Sequence, residues 1–229
     1  MQTEDTGTMR IEGSTANLGS DANRMIILKT NTEFTQAQRD ALMAVANELR
    51  TVLDHMTTLS GDAETMHAIA AQAKALAEAM APHTGNKQLE HFTLDWGDDL
   101  NSPLPMSPVT GRFNPIAPPV ALHMDDKILI GEVTLSKVYE GGPGAVHGSW
   151  IAAIYDQLLA YAGIFNRTGG PTATLNIEFM RPTPINVPLR FEVTVDSVVD
   201  RKIFISGKCF CEEKLVTRCE GLFIQHNYN

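Results

Sequence analysis

The sequence predicts an α+β domain in which one long helix covers most of one face of a curved antiparallel sheet. Three observations lead there. Trp150 to Phe165 is a helix-length run whose only charged residue is Asp156. The chain beyond it alternates apolar and polar residues with the period of a strand, 2.0, rather than that of a helix. Turn-forming residues at Asn186-Val187-Pro188, Val199-Asp200-Arg201 and Glu212-Glu213-Lys214 separate these alternating runs by connections short enough for antiparallel neighbours. A helix followed by consecutive strands packs its apolar surface on one side of the sheet.

Composition bounds the rest. At 229 residues and 43% hydrophobic, the chain is long enough for one large core with an appendage and short for two full enzyme domains. A formal charge of -9 argues against general nucleic-acid binding, which needs a cationic face, though a local basic cluster still serves an anionic ligand. Cys209, Cys211 and Cys219 are odd in number and spaced unlike zinc ligands, so they read as strand residues in a reducing compartment, with no metal and no cofactor expected. Residues 1–19 lack a basic start with an apolar core, and no apolar run reaches 18 residues. The expectation is a cytoplasmic protein without membrane association.

Residues 1–30, rich in Thr, Gly, Ser and Asn, read as an irregular segment. Over 31–82 two amphipathic helices form a hairpin. The first opens on the capping box Thr35…Gln38 and carries the stripe Leu42, Val45, Leu49, Val52, Leu53, Met56. Ser60-Gly61 interrupts it. The second runs from Ala63 to Met80 with Met66, Ile69, Ala73 and Ala77 on one face, bounded by Pro82, so the two stripes are expected to bury against each other or a neighbouring sheet. His55, His67 and His83 read as surface histidines. Residues 83–112 form a proline-rich connection, where Trp96 and Asp95, Asp98 and Asp99 read as a solvated acidic turn, since the glycine and glutamate of a calcium loop are missing. Residues 113–229 form the α+β domain: a strand over Ile128–Tyr139, the apolar helix, then strands around Leu175–Phe179, Leu189–Val195, Ile203–Cys211 and Val216–Ile224.

The apolar helix has no polar face, so it should be surrounded by protein and Asp156 should be costly to desolvate. Either the carboxylate is functional, or it bonds to Tyr or Ser hydroxyls, or it lies at a solvated edge. Ahead of it, Gly141, Gly142 and Gly144 permit a tight backbone, and Gly148 stands where the helix begins and amides are unpaired. Such an amide polarises a carbonyl and stabilises the oxyanion formed when it is attacked, and a carboxylate farther along can activate water or attack directly. His147 alone reads as an ordinary helix-entry residue.

The run His147-Gly148-Ser149 followed by Asp156 resembles the His-Gly-Gly and downstream Asp of hot-dog-fold acyl-CoA thioesterases, particularly the group of the phenylacetic-acid-pathway thioesterase and thioesterase superfamily members 4 and 5. The likeness continues through Thr172-Ala-Thr-Leu-Asn-Ile-Glu-Phe-Met-Arg-Pro182, Asp200-Arg-Lys-Ile-Phe-Ile-Ser206 and Cys219-Glu-Gly-Leu-Phe-Ile224, so it covers roughly residues 113 to 226. It implies a hot-dog fold, a central helix wrapped by a curved antiparallel sheet, assembled as a homodimer or a dimer of dimers with active sites at the interface. It also implies acyl-CoA as substrate, Asp156 as general base or nucleophile, the Gly148 amide as carbonyl polariser, Thr172 reaching the site from the partner subunit to place water, and His147 orienting the thioester or its loop. Ser149 replaces the second motif glycine, which bears on substrate fit more than on reaction type. The helices before residue 83 lie outside the resemblance.

Two other readings stay open. A hot-dog hydratase uses Asp and His near an Asn-Pro loop; Asn114-Pro115 is present, but His123 follows at a distance and no aspartate precedes the pair. A non-catalytic acyl-CoA-binding or structural protein is the other, because fold does not fix chemistry. The phosphates of coenzyme A call for a local positive rim, for which Arg201 and Lys202 at a strand turn are the candidates. Trp150, Tyr155, Tyr161 and Phe165 suit either an apolar acyl pocket or simple packing.

Overall fold

A computed structural model of the chain describes residues 34–85, 99–101 and 103–225. Residues 1–30, expected to be irregular, and Asp95, Trp96 and Asp98 lie outside the described residues.

Among the described residues three α-helices and six strands follow in the order α1 (Gln36–Met56), α2 (Ala63–Met80), β1 (Ala121–Asp125), β2 (Ile128–Thr134), α3 (Gly148–Phe165), β3 (Thr172–Phe179), β4 (Pro188–Val199), β5 (Lys202–Cys211) and β6 (Lys214–Ile224). The strands form one sheet ordered β1-β2-β4-β5-β6-β3, with antiparallel pairing throughout. Tight turns join β4 to β5 and β5 to β6, where Asp200 (φ 53°) and Glu212 (φ 55°) take the left-handed conformation that a two-residue hairpin requires.

α3 packs on β2, β3, β4, β5 and β6. Its Ile151, Ile154, Tyr155, Leu158 and Leu159 are fully buried against Leu129, Phe191, Val193, Ile203 and Ile205. Burial of each such side chain stabilises the fold by about 1.5–3 kcal/mol. The helix comes close because Gly207 and Gly221 face it: a Cβ on Gly207 would lie 2.8 Å from the Tyr155 ring, and one on Gly221 2.5 Å from Leu159. Burial pushes the thiols of Cys209 and Cys219 up to about 12, so both stay protonated near neutral pH.

The strand expected over Ile128–Tyr139 ends at Thr134. Ser136 then caps a 3-10 turn, Lys137–Tyr139, by accepting from the Val138 amide, which diverts the backbone from the ladder. β1 escaped sequence reading because it is a five-residue edge strand with no buried residue.

The capping box of α1 is formed: Thr35 Oγ1 accepts from the Gln38 amide (3.2 Å) and Gln38 Oε1 from the Thr35 amide (2.9 Å). The expected mutual burial of the two helical stripes is not. The Arg50 guanidinium fastens α1 to the domain, Nη2 donating to the carbonyls of Arg112 (2.8 Å), Asn114 (2.9 Å) and Gly111 (3.3 Å). Lys137 adds a contact to Thr58 Oγ1 at 3.2 Å and to Asp54 at 3.8 Å. That turns Ala46 and the half-buried Leu42, Leu49 and Leu53 inward, and Val45, Val52 and Met56 outward. α2 has no buried residue.

Candidate active site

The loop before α3 is fixed by its own hydrogen bonds. The Gly141 amide donates to Ala145 O (2.9 Å), Glu140 Oε1 accepts from the Gly144 amide (2.5 Å), and the Val146 amide donates to Thr183 O (2.8 Å). Two glycines are required here. Gly144 has φ 73°, and a Cβ on Gly141 would stand 2.7 Å from His147 Cα. The loop delivers His147 as N-cap of α3, its backbone amide held by Tyr139 O at 2.8 Å. His147 Nδ1 accepts from the Ser149 amide (3.1 Å) and stands 2.7 Å from Ser149 Oγ, which places the imidazole proton on Nε2. His147 thus does what helix-entry residues do, and Ser149 helps to hold it.

With Ser149 and Trp150 amides engaged, the Gly148 amide makes no hydrogen bond to a described residue. It stands at the positive end of the helix dipole. The Phe179 ring lies beside Gly148, 3.3 Å from where a Cβ would be. This neighbour of the helix entry was missed by sequence reading: the parity of Phe179 with Leu175 and Ile177 suggested burial, yet it is 53% exposed.

Asp156 is exposed. The burial expected for this carboxylate is not found: it lies at a solvated edge of the chain, where a functional role stays open. The reason is the sheet order: α3 buries its other sides, but β3 is an edge strand with almost no burial, so the flank of α3 beside it lies open. Ser149 and Asp156, seven residues apart, share that flank. There Thr172 Oγ1 donates to Asp156 Oδ1 at 2.7 Å. The resemblance implied that Thr172 reaches the site from the partner subunit; within the chain, Thr172, the first residue of β3, meets the helix of its own chain. Asp156 also lies near β6, where after burial its charge is the next cause raising the Cys219 thiol.

Arg201 and Lys202 are exposed at the β4–β5 turn. Ile203 pairs with Phe223, which pairs with Thr172, so the register puts them at the sheet end where β3 begins. Arg201 Nε donates to Gln225 O (3.0 Å). Tyr155 and Tyr161 are fully buried, their hydroxyls meeting Thr217 (2.8 Å) and Thr110 (3.3 Å), so packing and not an acyl pocket explains them. Asn114, of the hydratase reading, is committed to structure: Nδ2 donates to Met106 O (3.1 Å) and Oδ1 accepts from the Ile116 amide (3.2 Å). Among the described residues no three His, Cys, Asp or Glu side chains converge as a metal centre needs, and no helix is long and apolar enough to cross a membrane.

A profile described as the thioesterase superfamily matches residues 143–217, which contain the helix-entry loop, Asp156 and Thr172. A crystal structure described as a thioesterase superfamily protein is similar over 80% of this chain and 94% of its own, at 30% identity and a TM-score of 0.70. Two curated relatives are the acyl-coenzyme A thioesterases THEM5 of Homo sapiens, 28% identical over 90 residues, and THEM4 of Bos taurus, 34% identical over 90 residues. These segments are 38% of this chain, and the chain spans only 36% of the length of either relative. The chain belongs to the thioesterase superfamily and has its hot-dog fold.

Proposed function

We propose that the protein hydrolyses acyl-CoA thioesters carrying a hydrophobic acyl or aryl group, with Asp156 as general base toward water. The observation that carries this is the Thr172–Asp156 hydrogen bond on an open flank of a helix whose first amide, at Gly148, is unpaired. Thr172 occupies Oδ1 and leaves Oδ2 to take a proton from water. The water oxygen bonds to the thioester carbon, the carbonyl becomes an oxyanion held by the Gly148 amide, the carbon–sulfur bond breaks, and the proton on Asp156 passes to the departing thiolate.

One helix cannot supply both groups to one carbonyl. Eight residues of α3 separate Gly148 from Asp156, about 12 Å along the axis, whereas an oxyanion donor must lie about 3 Å from the oxygen it stabilises. The site is therefore read as shared, Asp156 and Thr172 from one copy and the Gly148 amide from a second, which accords with a homodimer or a dimer of dimers. The open flank along β3 is where that copy fits. On this reading residues 113–229 are the catalytic domain and residues 31–82 an appendage.

The test is a panel of acyl-CoAs with a thiol reagent. Thioesterase activity releases free thiol; hydration of an enoyl-CoA without thiol release, or saturable binding without turnover, contradicts the proposal. A clear preference for acetyl-CoA removes the hydrophobic-acyl part alone. Thr172→Ala should lower kcat less than loss of Asp156 does, about 10-fold, because Asp156 remains but loses the bond that orients it; unchanged kcat would remove Thr172 from the site. Replacing Arg201 and Lys202 together by alanine should raise KM for acyl-CoA, with a weakened salt dependence, and leave a small acyl thioester lacking the nucleotide unaffected. Equal losses on both substrates would count against the phosphate-binding role.

A further inference from the structure

α1 and α2 carry a second pattern that the fold does not use. On α2, Met66, Ile69, Ala73, Leu76 and Met80 recur at intervals of three, four, three and four, the seam spacing of helices that pack side by side on other helices. The positions flanking this seam are Thr65, Ala70, Gln72, Ala77 and Ala79, uncharged and mostly small, so a second helix can come close without opposing a like charge. The charged Lys74 and Glu78 pair with each other at 3.6 Å on the opposite side. On α1, Val45, Val52 and Met56, with Leu59 just past its end, follow at seven, four and three residues on the side turned away from Arg50 and the domain, with the exposed Glu48 between the first two.

None of these seams is covered. The eight large apolar side chains Val45, Val52, Met56, Leu59, Met66, Ile69, Leu76 and Met80 are between 37% and 63% exposed. Together they present on the order of 600 Å² of apolar surface, at the top of the range for the largest apolar patch of a monomer. With the intervening alanines this approaches the roughly 800 Å² per partner of a stable interface. An 18-residue helix with no buried residue also lacks the tertiary packing from which helices in proteins draw most of their stability.

We infer that α1 and α2 seat on the same two helices of a second copy of this chain, forming a four-helix bundle. This interface is separate from the α3–β3 flank and stands whether or not the protein is a thioesterase. The seam spacing specifies a helical occupant, and the absence of charge beside the α2 seam suits a like surface better than a strongly charged partner.

The experiment measures the mass of the full-length protein by light scattering. Ile69→Glu with Leu76→Glu on the seam should reduce the assembly to half the wild-type mass or less, while His67→Glu with Lys74→Glu on the outer side keeps it. A monomeric wild type, or a seam variant of unchanged mass, overturns the inference. A second measurement holds even if the double variant misfolds: the thiol of Ala73→Cys should react with maleimide at least tenfold more slowly than that of Lys74→Cys, and the difference should fade on dilution. Equal rates at high protein concentration would show the seam open and the inference wrong.

Discussion

Asp156→Asn is expected to lower turnover of a hydrophobic acyl-CoA by roughly 10²- to 10⁴-fold, the contribution typical of a positioned acid–base group. The substitution keeps the volume and can still accept from Thr172 at the position of Oδ1; what it removes is the oxygen that takes the proton. Stability should barely move. The carboxylate is exposed, so its replacement relieves no burial cost, and the melting temperature should stay near that of the native protein. A fall in turnover with unchanged unfolding is the signature of chemistry, whereas a shift in melting temperature with normal turnover would mark Asp156 as structural.

Gly207→Val should have the largest effect on stability. A Cβ there would stand 2.8 Å and 3.0 Å from two atoms of the Tyr155 ring and 3.3 Å from Leu159. The ring has little room to retreat, because its hydroxyl is tied to Thr217 at 2.8 Å and its edge packs on Phe191 at a centroid distance of 5.2 Å. Overpacking of this kind costs about 1–3 kcal/mol, and for a chain of this size each kcal/mol lowers Tm by about 2–4 °C. Thermal unfolding checks it; a Tm within a degree of wild type would mean that α3 shifts freely on the sheet, contrary to the packing described.

Most of the strands and the central helix were legible because they rest on periodicity. The period of two through Leu189–Val195 and Ile203–Cys211 is a direct image of one face buried under α3. β1 was not legible, since a half-exposed edge strand leaves no such image. The Ile128–Tyr139 reading overran because Ser136 ends the ladder through a side-chain bond that apolar pattern does not register.

The site was legible in its residue types and not in its environment. The glycines before His147 announced a tight helix entry, and the loop's bonds explain them. The exposure of Asp156 was hidden, because an apolar helix reads the same whether its own chain covers all sides or leaves one side open. For the same reason the stripe of α1 read as one buried surface, although Arg50, in its midst, anchors only the Ala46 side to the loop at 111–114. Phe179 beside Gly148 depended on where the edge strand lies, which no local pattern encodes.

The central claim is that Asp156 performs the chemistry, and the most direct measurement is kcat for thiol release from one hydrophobic acyl-CoA, with wild-type and Asp156→Asn protein matched for fold by their melting curves. The buried, protonated Cys209 and Cys219 should contribute little to the thiol signal. The account predicts a loss of at least 10²-fold with superimposable melting curves. Turnover close to wild type from the folded variant would contradict it.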